Sequence, residues 1–227
     1  MTPDAFDPTP IWITLQLAAW TTGLLFLVGT PIAWWLARTR SAARPFVEAV
    51  TALPLVLPPT VLGFYLLILM SPDAPLGGLW LTLTGDTLTF SFSGLVAASM
   101  LYSLPFMVQP LTAGFEAVGR EPIEAAASLG ASPVDAFLRV AIPLSKRSFL
   151  TAGILTFSHT LGEFGVVLMV GGNIPGSTRV LSIAIYDHVE TLRYAEAHAL
   201  AAGLLVFSFT VLLLVYAFDR RGRVRVG

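Results

Sequence analysis

The chain has 227 residues, of which 55% are hydrophobic and only 12% are charged, and its mean hydropathy is +0.77. Soluble domains carry about 25% charged residues and need a polar exterior, so this composition excludes an ordinary water-soluble fold. The formal net charge of −1 points to no charged partner, and the absence of cysteine excludes disulfides, thiol nucleophiles and cysteine-ligated metals.

Five apolar stretches are long enough to cross a bilayer, which takes roughly 20 residues in a helix. In chain order they cover residues 11–37, 49–70, 88–115, 149–171 and 199–218. They lack the alternation of barrel strands and therefore predict an all-α transmembrane fold of five helices. We expect residues 1–227 to form a single membrane domain.

The basic residues predict the orientation of this domain. Eleven of the 13 fall after the first stretch, between the third and fourth, and after the fifth: Arg38, Arg40, Arg44, Arg120, Arg139, Lys146, Arg147, Arg220, Arg221, Arg223 and Arg225. The positive-inside tendency places these three segments in the cytoplasm, with the N-terminus outside and the C-terminus inside. The N-terminal segment carries Asp4 and Asp7 and no basic residue, so we expect no cleavable signal peptide.

The cytoplasmic segment 117–147 predicts a helical hairpin. Pro122 suits the first turn of its first helix, and Gly130 suits the position just past the end of that helix. Ser132 and Asp135 have the spacing of a capping box at the start of a second helix, with Pro133 in the first helical position. The spacing predicts one apolar face on that helix, which Pro143 ends; the face comprises Val134, Phe137, Leu138 and Ala141.

The hairpin alone leaves other interpretations open. One is an amphipathic hairpin that lies on the membrane surface without a partner. Another is a DNA-binding helix-turn-helix, but Arg139 is the only basic residue of the second helix, which makes nucleic acid a poor partner.

The sequence Glu124-Ala125-Ala126, followed by Gly130 and by Val140-Ala141-Ile142-Pro143, resembles the cytoplasmic signature of ABC importer permeases. Val140 departs from this signature, in which isoleucine is more common. The resemblance implies a type I permease whose hairpin is a coupling helix that docks on a separate ATPase. The residues that it assigns to ATPase coupling are Glu124, Ala125, Ala126, Gly130, Ala131, Ser132, Phe137 and Pro143.

Three further segments resemble the molybdate permeases of this class: residues 53–63, 159–165 and 173–179. The resemblance runs from about residue 14 to the last apolar stretch, and sulfate or thiosulfate permeases share its Leu-Gly-Glu part. It implies transport of molybdate or tungstate by a homodimer in the bacterial inner membrane. It also implies two kinds of partner, the ATP-binding cassette ATPase subunits and an extracytoplasmic oxyanion-binding protein.

Five residues are candidates for the translocation pathway or its gate: Pro58, Pro59, His159, Gly162 and Glu163. An ionisable group in a membrane span is costly and usually faces a cavity or a partner. Glu163 and His159, four residues apart, either line the pathway or form a buried pair that holds the fourth stretch against its neighbours. The prolines either kink the second stretch or mark a bend that moves during gating.

The chain itself is not expected to be an enzyme. Lys146 is its only lysine and belongs to no glycine-rich phosphate-binding motif, so ATP must be hydrolysed by another subunit. We expect no catalytic residue, resident cofactor or metal in this chain. Two other classes compete: an intramembrane metalloenzyme, for which His159 and Glu163 are too few ligands, and a channel or secondary transporter.

Overall fold

The computed structural model describes residues 7–221. Within that range the secondary structure is helical and contains no strand, which confirms the all-α prediction. The helices are α1 (Thr9–Arg38), α2 (Arg44–Ala52), α3 (Pro59–Met70), α4 (Pro75–Thr84), α5 (Phe92–Val118), α6 (Glu121–Ser128), α7 (Pro133–Ala136), α8 (Ile142–Leu144), α9 (Lys146–Leu161), α10 (Gly165–Gly171), α11 (Leu181–Glu190) and α12 (Tyr194–Arg221). Residues 1–6, and with them Asp4, lie outside the described range, as do Arg223 and Arg225 of the predicted basic C-terminal segment.

Among residues 7–221, three helices are long and apolar enough to cross a membrane, namely α1, α5 and α12. Pro31 lies inside α1, and Pro105 and Pro110 lie inside α5, yet both helices are continuous. These helices correspond to the first, third and fifth predicted stretches.

The second and fourth predicted stretches are each broken into two helices. Residues Arg44–Leu55, which end in a short 3₁₀ helix, meet α3 at an angle of 110°. The axes of α9 and α10 differ by 63°. Pro58 is extended, with ψ of 135°, and interrupts the first pair, while Gly162, Glu163 and Phe164 separate the second. The described residues therefore hold five crossings if each bent pair counts as one span.

Helix α5 lies at the centre of the bundle. It packs against α1 and α9 on one side and against α10 and α3 on the other. Leu95, Met107 and Leu111 of α5 are fully buried in these contacts. Helix α12 packs only against α11 and α9 among the larger contacts, and most of its described side chains face outward.

Short helices cover the end of the bundle that the sequence predicts to be external. Helix α11 lies within residues 180–194, where a short helix is expected from the sequence. Helix α4 occupies part of the segment 71–87, which is rich in glycine, proline and threonine. Helix α11 also contacts the break of the fourth stretch, where the ring of Tyr186 lies 5.0 Å from that of Phe164.

Candidate functional site

The predicted hairpin is present between α5 and α9. Helix α6 begins with Pro122 in its first turn and ends at Ser128. Gly130 follows with φ of +86°, a left-handed conformation that glycine adopts without steric cost. The amide of Ala131 then donates to the carbonyl of Ala126 at 3.0 Å and closes the turn. The prediction that Gly130 terminates the first helix is confirmed.

Ser132 caps the second arm of the hairpin as predicted. Its Oγ accepts a hydrogen bond from the amide of Asp135 at 3.1 Å and donates to Asp135 Oδ2 at 2.7 Å. Arg139 Nε lies 3.3 Å from Asp135 Oδ1. The hydrogen bond from Ser132 and then the charge of Arg139 hold the pKa of Asp135 below its ordinary value.

The predicted apolar face of the second arm is wrong. Val134 and Leu138 are 65% and 54% exposed, whereas Ala141 is fully buried and Phe137 is half-buried. The reason is a π-helical turn, in which the amide of Ile142 donates to the carbonyl of Phe137. This wider turn has a different period from an α-helix, so residues spaced for one α-helical face separate onto two.

Pro143 does not end the helical arm. It lies inside α8, which continues to Leu144, and only Ser145 separates α8 from α9. Proline lacks the amide hydrogen that an α-helical interior requires, but it is tolerated in the first turn of a helix. Because α8 begins at Ile142, directly after the π turn, Pro143 falls in such a first turn.

The hairpin presents apolar side chains to its surroundings. Leu129, at the tip, is 90% exposed, and Val134 and Leu138 are exposed beside it. Sequence reasoning missed Leu129, although a leucine directly before a helix-ending glycine is a signal that could have found it. Of the residues predicted to couple to the ATPase, five are exposed and three are half-buried: Glu124, Ala125, Gly130, Ser132 and Pro143, and then Ala126, Ala131 and Phe137.

Phe137 faces the bundle. Its ring lies 5.0 Å from that of Trp34 on α1 and 6.0 Å from that of Phe115 on α5. Trp34 and Phe115 contact each other edge-on at 5.1 Å, so the three rings form one cluster, which we call the aromatic junction. The junction joins the hairpin to the two most extensively packed helices of the bundle.

A second group of predicted residues lies at the break between α9 and α10. Glu163 occupies this break and is only 3% exposed. Its carboxylate accepts hydrogen bonds from Ser99 Oγ at 2.5 Å and from Ser103 Oγ at 2.7 Å, both on α5. Its main-chain carbonyl accepts from Ser182 Oγ of α11 at 2.5 Å. Glu163 therefore links the break to α5 and to α11 through hydrogen bonds.

His159 lies one turn before Glu163 on the same side of α9, as predicted. Its Nδ1 is 2.9 Å from Ser103 Oγ and 3.5 Å from Glu163 Oε1. The imidazole stacks on Phe106 with a centroid distance of 4.0 Å and contacts the ring of Tyr102 at 4.7 Å. Sequence reasoning missed Ser99 and Ser103, although two serines four residues apart on an apolar helix share one face.

The break borders a cavity of about 540 Å³. Four of the five predicted pathway residues line it; its lining comprises Pro59, Thr60, Tyr102, Ser158, His159, Gly162, Glu163, Phe164 and Gly165. Pro58 is not part of this lining. The start of α3 meets the start of α10 here, since a Cβ placed on Gly165 would lie 2.9 Å from Pro59 Cβ. The two helix breaks therefore lie side by side at the cavity.

We expect a Glu163→Ala substitution to destabilise the protein by about 3 kcal/mol, because it removes the buried carboxylate that accepts hydrogen bonds from Ser99 and Ser103. The measurement is thermal or denaturant unfolding of the purified protein in detergent. Glu196→Ala, which removes an exposed glutamate, is the matched control and should change stability little. Equal stability of the Glu163→Ala and Glu196→Ala variants would contradict a stabilising role for the hydrogen bonds of Glu163.

The sequence of the chain is similar to those of known transport proteins. The family model described as "Binding-protein-dependent transport system inner membrane component" matches residues 29–224. The molybdenum transport system permease protein ModB of Azotobacter vinelandii is 58% identical over 94% of this chain and 95% of its own length. The sulfate transport system permease protein CysT of Escherichia coli (strain K12) is 33% identical over 88% of this chain and 72% of its own length.

The fold also matches solved structures. A chain of the MetNI methionine ABC transporter in inward-facing conformations superposes with a TM-score of 0.72. The superposition covers 93% of this chain and 94% of that chain, at 15% sequence identity. This likeness supports the type I permease fold and, at so low an identity, nothing about the substrate.

Proposed function

Because the chain belongs to the family of binding-protein-dependent transport system inner membrane components, we propose that it is the permease subunit of a molybdate importer. The observation that carries the proposal is the 58% identity to ModB of Azotobacter vinelandii across nearly the full length of both chains. The sulfate permease CysT is markedly more distant, at 33% identity. Sulfate or thiosulfate transport is therefore the second candidate.

The permease works with other proteins. Family membership and the ABC transporter relatives imply a separate ATPase and a substrate-binding protein as partners. We propose that the hairpin tip docks in a groove of the ATPase, since Leu129, Val134 and Leu138 offer exposed apolar side chains on a short helical element. The binding protein then delivers the oxyanion to the opposite end of the bundle.

Two copies of the chain complete the pathway in this proposal. A two-fold homodimer would bring the two cavities beside Glu163 to a common central axis. Closure of the ATPase dimer pushes the hairpin, the aromatic junction passes the push to α1 and α5, and the cavity changes the side to which it opens. ATP binding drives transport because it favours one of these two states. The chain lies in the inner membrane with its hairpin in the cytoplasm, as the basic residues predict.

Uptake measured in vesicles tests this function. With the purified permease, its ATPase and its binding protein reconstituted together, we expect ATP-dependent uptake of labelled molybdate. Unlabelled tungstate should compete strongly, since it has the same charge and nearly the same size, and sulfate only weakly. Stronger competition by sulfate than by tungstate would instead assign the chain to sulfate transport, and uptake that continues without ATP would indicate a channel or secondary transporter.

A further inference from the structure

His159 and Glu163 stand apart from the rest of the membrane-embedded sequence. They are the only Asp, Glu, His, Lys or Arg residues within the five apolar stretches. Both line the same cavity, and the side chain of His159 is 19% exposed whereas that of Glu163 is fully buried. An oxyanion that passes this cavity would therefore meet the imidazole before the carboxylate.

Ser103 Oγ lies within hydrogen-bond distance of three groups, Glu163 Oε1, His159 Nδ1 and Thr160 Oγ1, and its contact with the carboxylate is the shortest. The single hydroxyl hydrogen of Ser103 is donated to Glu163 Oε1, at 2.7 Å. Ser103 Oγ can then only accept from His159, so Nδ1 is the donor in their 2.9 Å contact. The result is a row of hydrogen bonds in which His159 donates to Ser103 and Ser103 donates to Glu163.

This row of hydrogen bonds determines which group His159 presents to a ligand. With Nδ1 protonated, the neutral imidazole has a lone pair on Nε2, which repels an anion. Protonation of Nε2 converts it into a charged donor. Among the described residues Nε2 makes no hydrogen bond, so it is the nitrogen left for a ligand.

We propose that His159 is the residue that contacts the oxyanion in transit, as an imidazolium through its Nε2–H, with Glu163 behind it as the balancing charge. The proposal rests on the proposed function, because it takes the transported ligand to be an oxyanion. The carboxylate of Glu163 is fully buried behind the imidazole and accepts hydrogen bonds from Ser99 and Ser103, so in the proposal its charge is balanced by the imidazolium that the ligand meets first. Transport is then favoured at a pH at which His159 is charged.

Within the described part of the chain, few other titratable side chains face the imidazole. From α5, Tyr102 is the titratable side chain that faces the imidazole, and from the break it is Glu163. Helix α1, which packs against α9, carries Arg38 only at its C-terminal end. Helix α12 carries Glu196 and His198 near its start, close to the outer helix α11.

The test is the pH profile of uptake by the reconstituted complex, expressed as molybdate transported per ATP hydrolysed. For the unmodified protein we expect this ratio to fall as the pH is raised, because the proposal requires the charged form of the imidazole. His159→Gln should lower the ratio about tenfold at the acidic end and flatten the profile. His159→Arg, which keeps its charge, should give a flat profile with transport retained at the alkaline end.

His198→Gln is the matched control, because His198 is exposed and lies outside the cavity. It should reproduce the unmodified profile. A direct readout uses the His188→Gln, His198→Gln double variant, in which His159 is the only histidine. Addition of molybdate should shift its imidazole NMR signals, since the proposal places the ligand against Nε2.

Different results would overturn the proposed function and the role of His159. If the unmodified complex transports no molybdate, the proposed function fails, and the role of His159 fails with it. If the complex transports molybdate but His159→Gln has the unmodified profile, only the role of His159 is overturned. Unchanged NMR signals on addition of molybdate would also overturn it.

Discussion

A Gly130→Asp variant is expected to reach the membrane but to lose its ATPase, with docking weakened by at least about 3 kcal/mol. The space around the position is open, since a Cβ on Gly130 would have no neighbour within 4 Å in the chain itself. In the docking proposed above the partner would fill that space, and a carboxylate there would be buried. Co-purification of the ATPase with the permease, and ATP hydrolysis stimulated by the permease, measure the effect.

Gly130→Asn is the control for this substitution. Asparagine and aspartate have the same shape, and both tolerate the left-handed conformation that Gly130 adopts, so the two variants differ mainly in charge. The asparagine variant should retain more ATPase than the aspartate variant. Full co-purification of the ATPase with Gly130→Asp would refute the docking of the hairpin tip.

Replacement of Phe137 by alanine should give the opposite pattern, with the ATPase bound but transport lost. Phe137 points away from the hairpin surface and joins Trp34 and Phe115 in the aromatic junction. Loss of a half-buried phenylalanine removes about 2 kcal/mol of packing, which would let the hairpin move without moving α1 and α5. We expect ATP hydrolysis to continue while molybdate uptake per ATP falls about tenfold, the factor that 1.4 kcal/mol represents.

Phe137→Leu serves as the matched variant, because it keeps most of the apolar contact and should transport at a rate closer to that of the unmodified protein. Uptake and ATP hydrolysis are measured in the same vesicles, so that coupling is separated from docking. If Phe137→Ala transports normally, the junction does not carry the motion of the hairpin. If it loses the ATPase instead, Phe137 acts in docking, as the sequence resemblance suggested.

The features that the sequence predicted well are local. Gly130 and Ser132 act through their own backbone conformation and through residues three or four positions away, so their spacing was enough to place the turn and the cap. The family and the all-α fold were likewise predictable and are confirmed, because composition and a 20-residue signature determine them. The number of membrane crossings stays a prediction, and so do the roles of the hairpin residues.

The features that the sequence did not predict depend on contacts between distant segments. Ser99 and Ser103 lie 64 and 60 residues from Glu163, and no local pattern links them to it. The π turn at Phe137–Ala141, which divides the predicted apolar face, was not predicted from the sequence. The prolines of the second stretch indicated a bend there, whereas the break of the fourth stretch was not predicted, and the angles of 110° and 63° accompany the packing of α3 against α10.

The close contact between Pro59 and Gly165 has a mechanical consequence. The two bends share one van der Waals surface, so straightening either of them alone would open a gap or drive one backbone into the other. The second and fourth stretches must therefore bend and relax together, as a single joint. Any side chain larger than hydrogen at position 165 would fill the contact between the two bends and hold both stretches in one conformation.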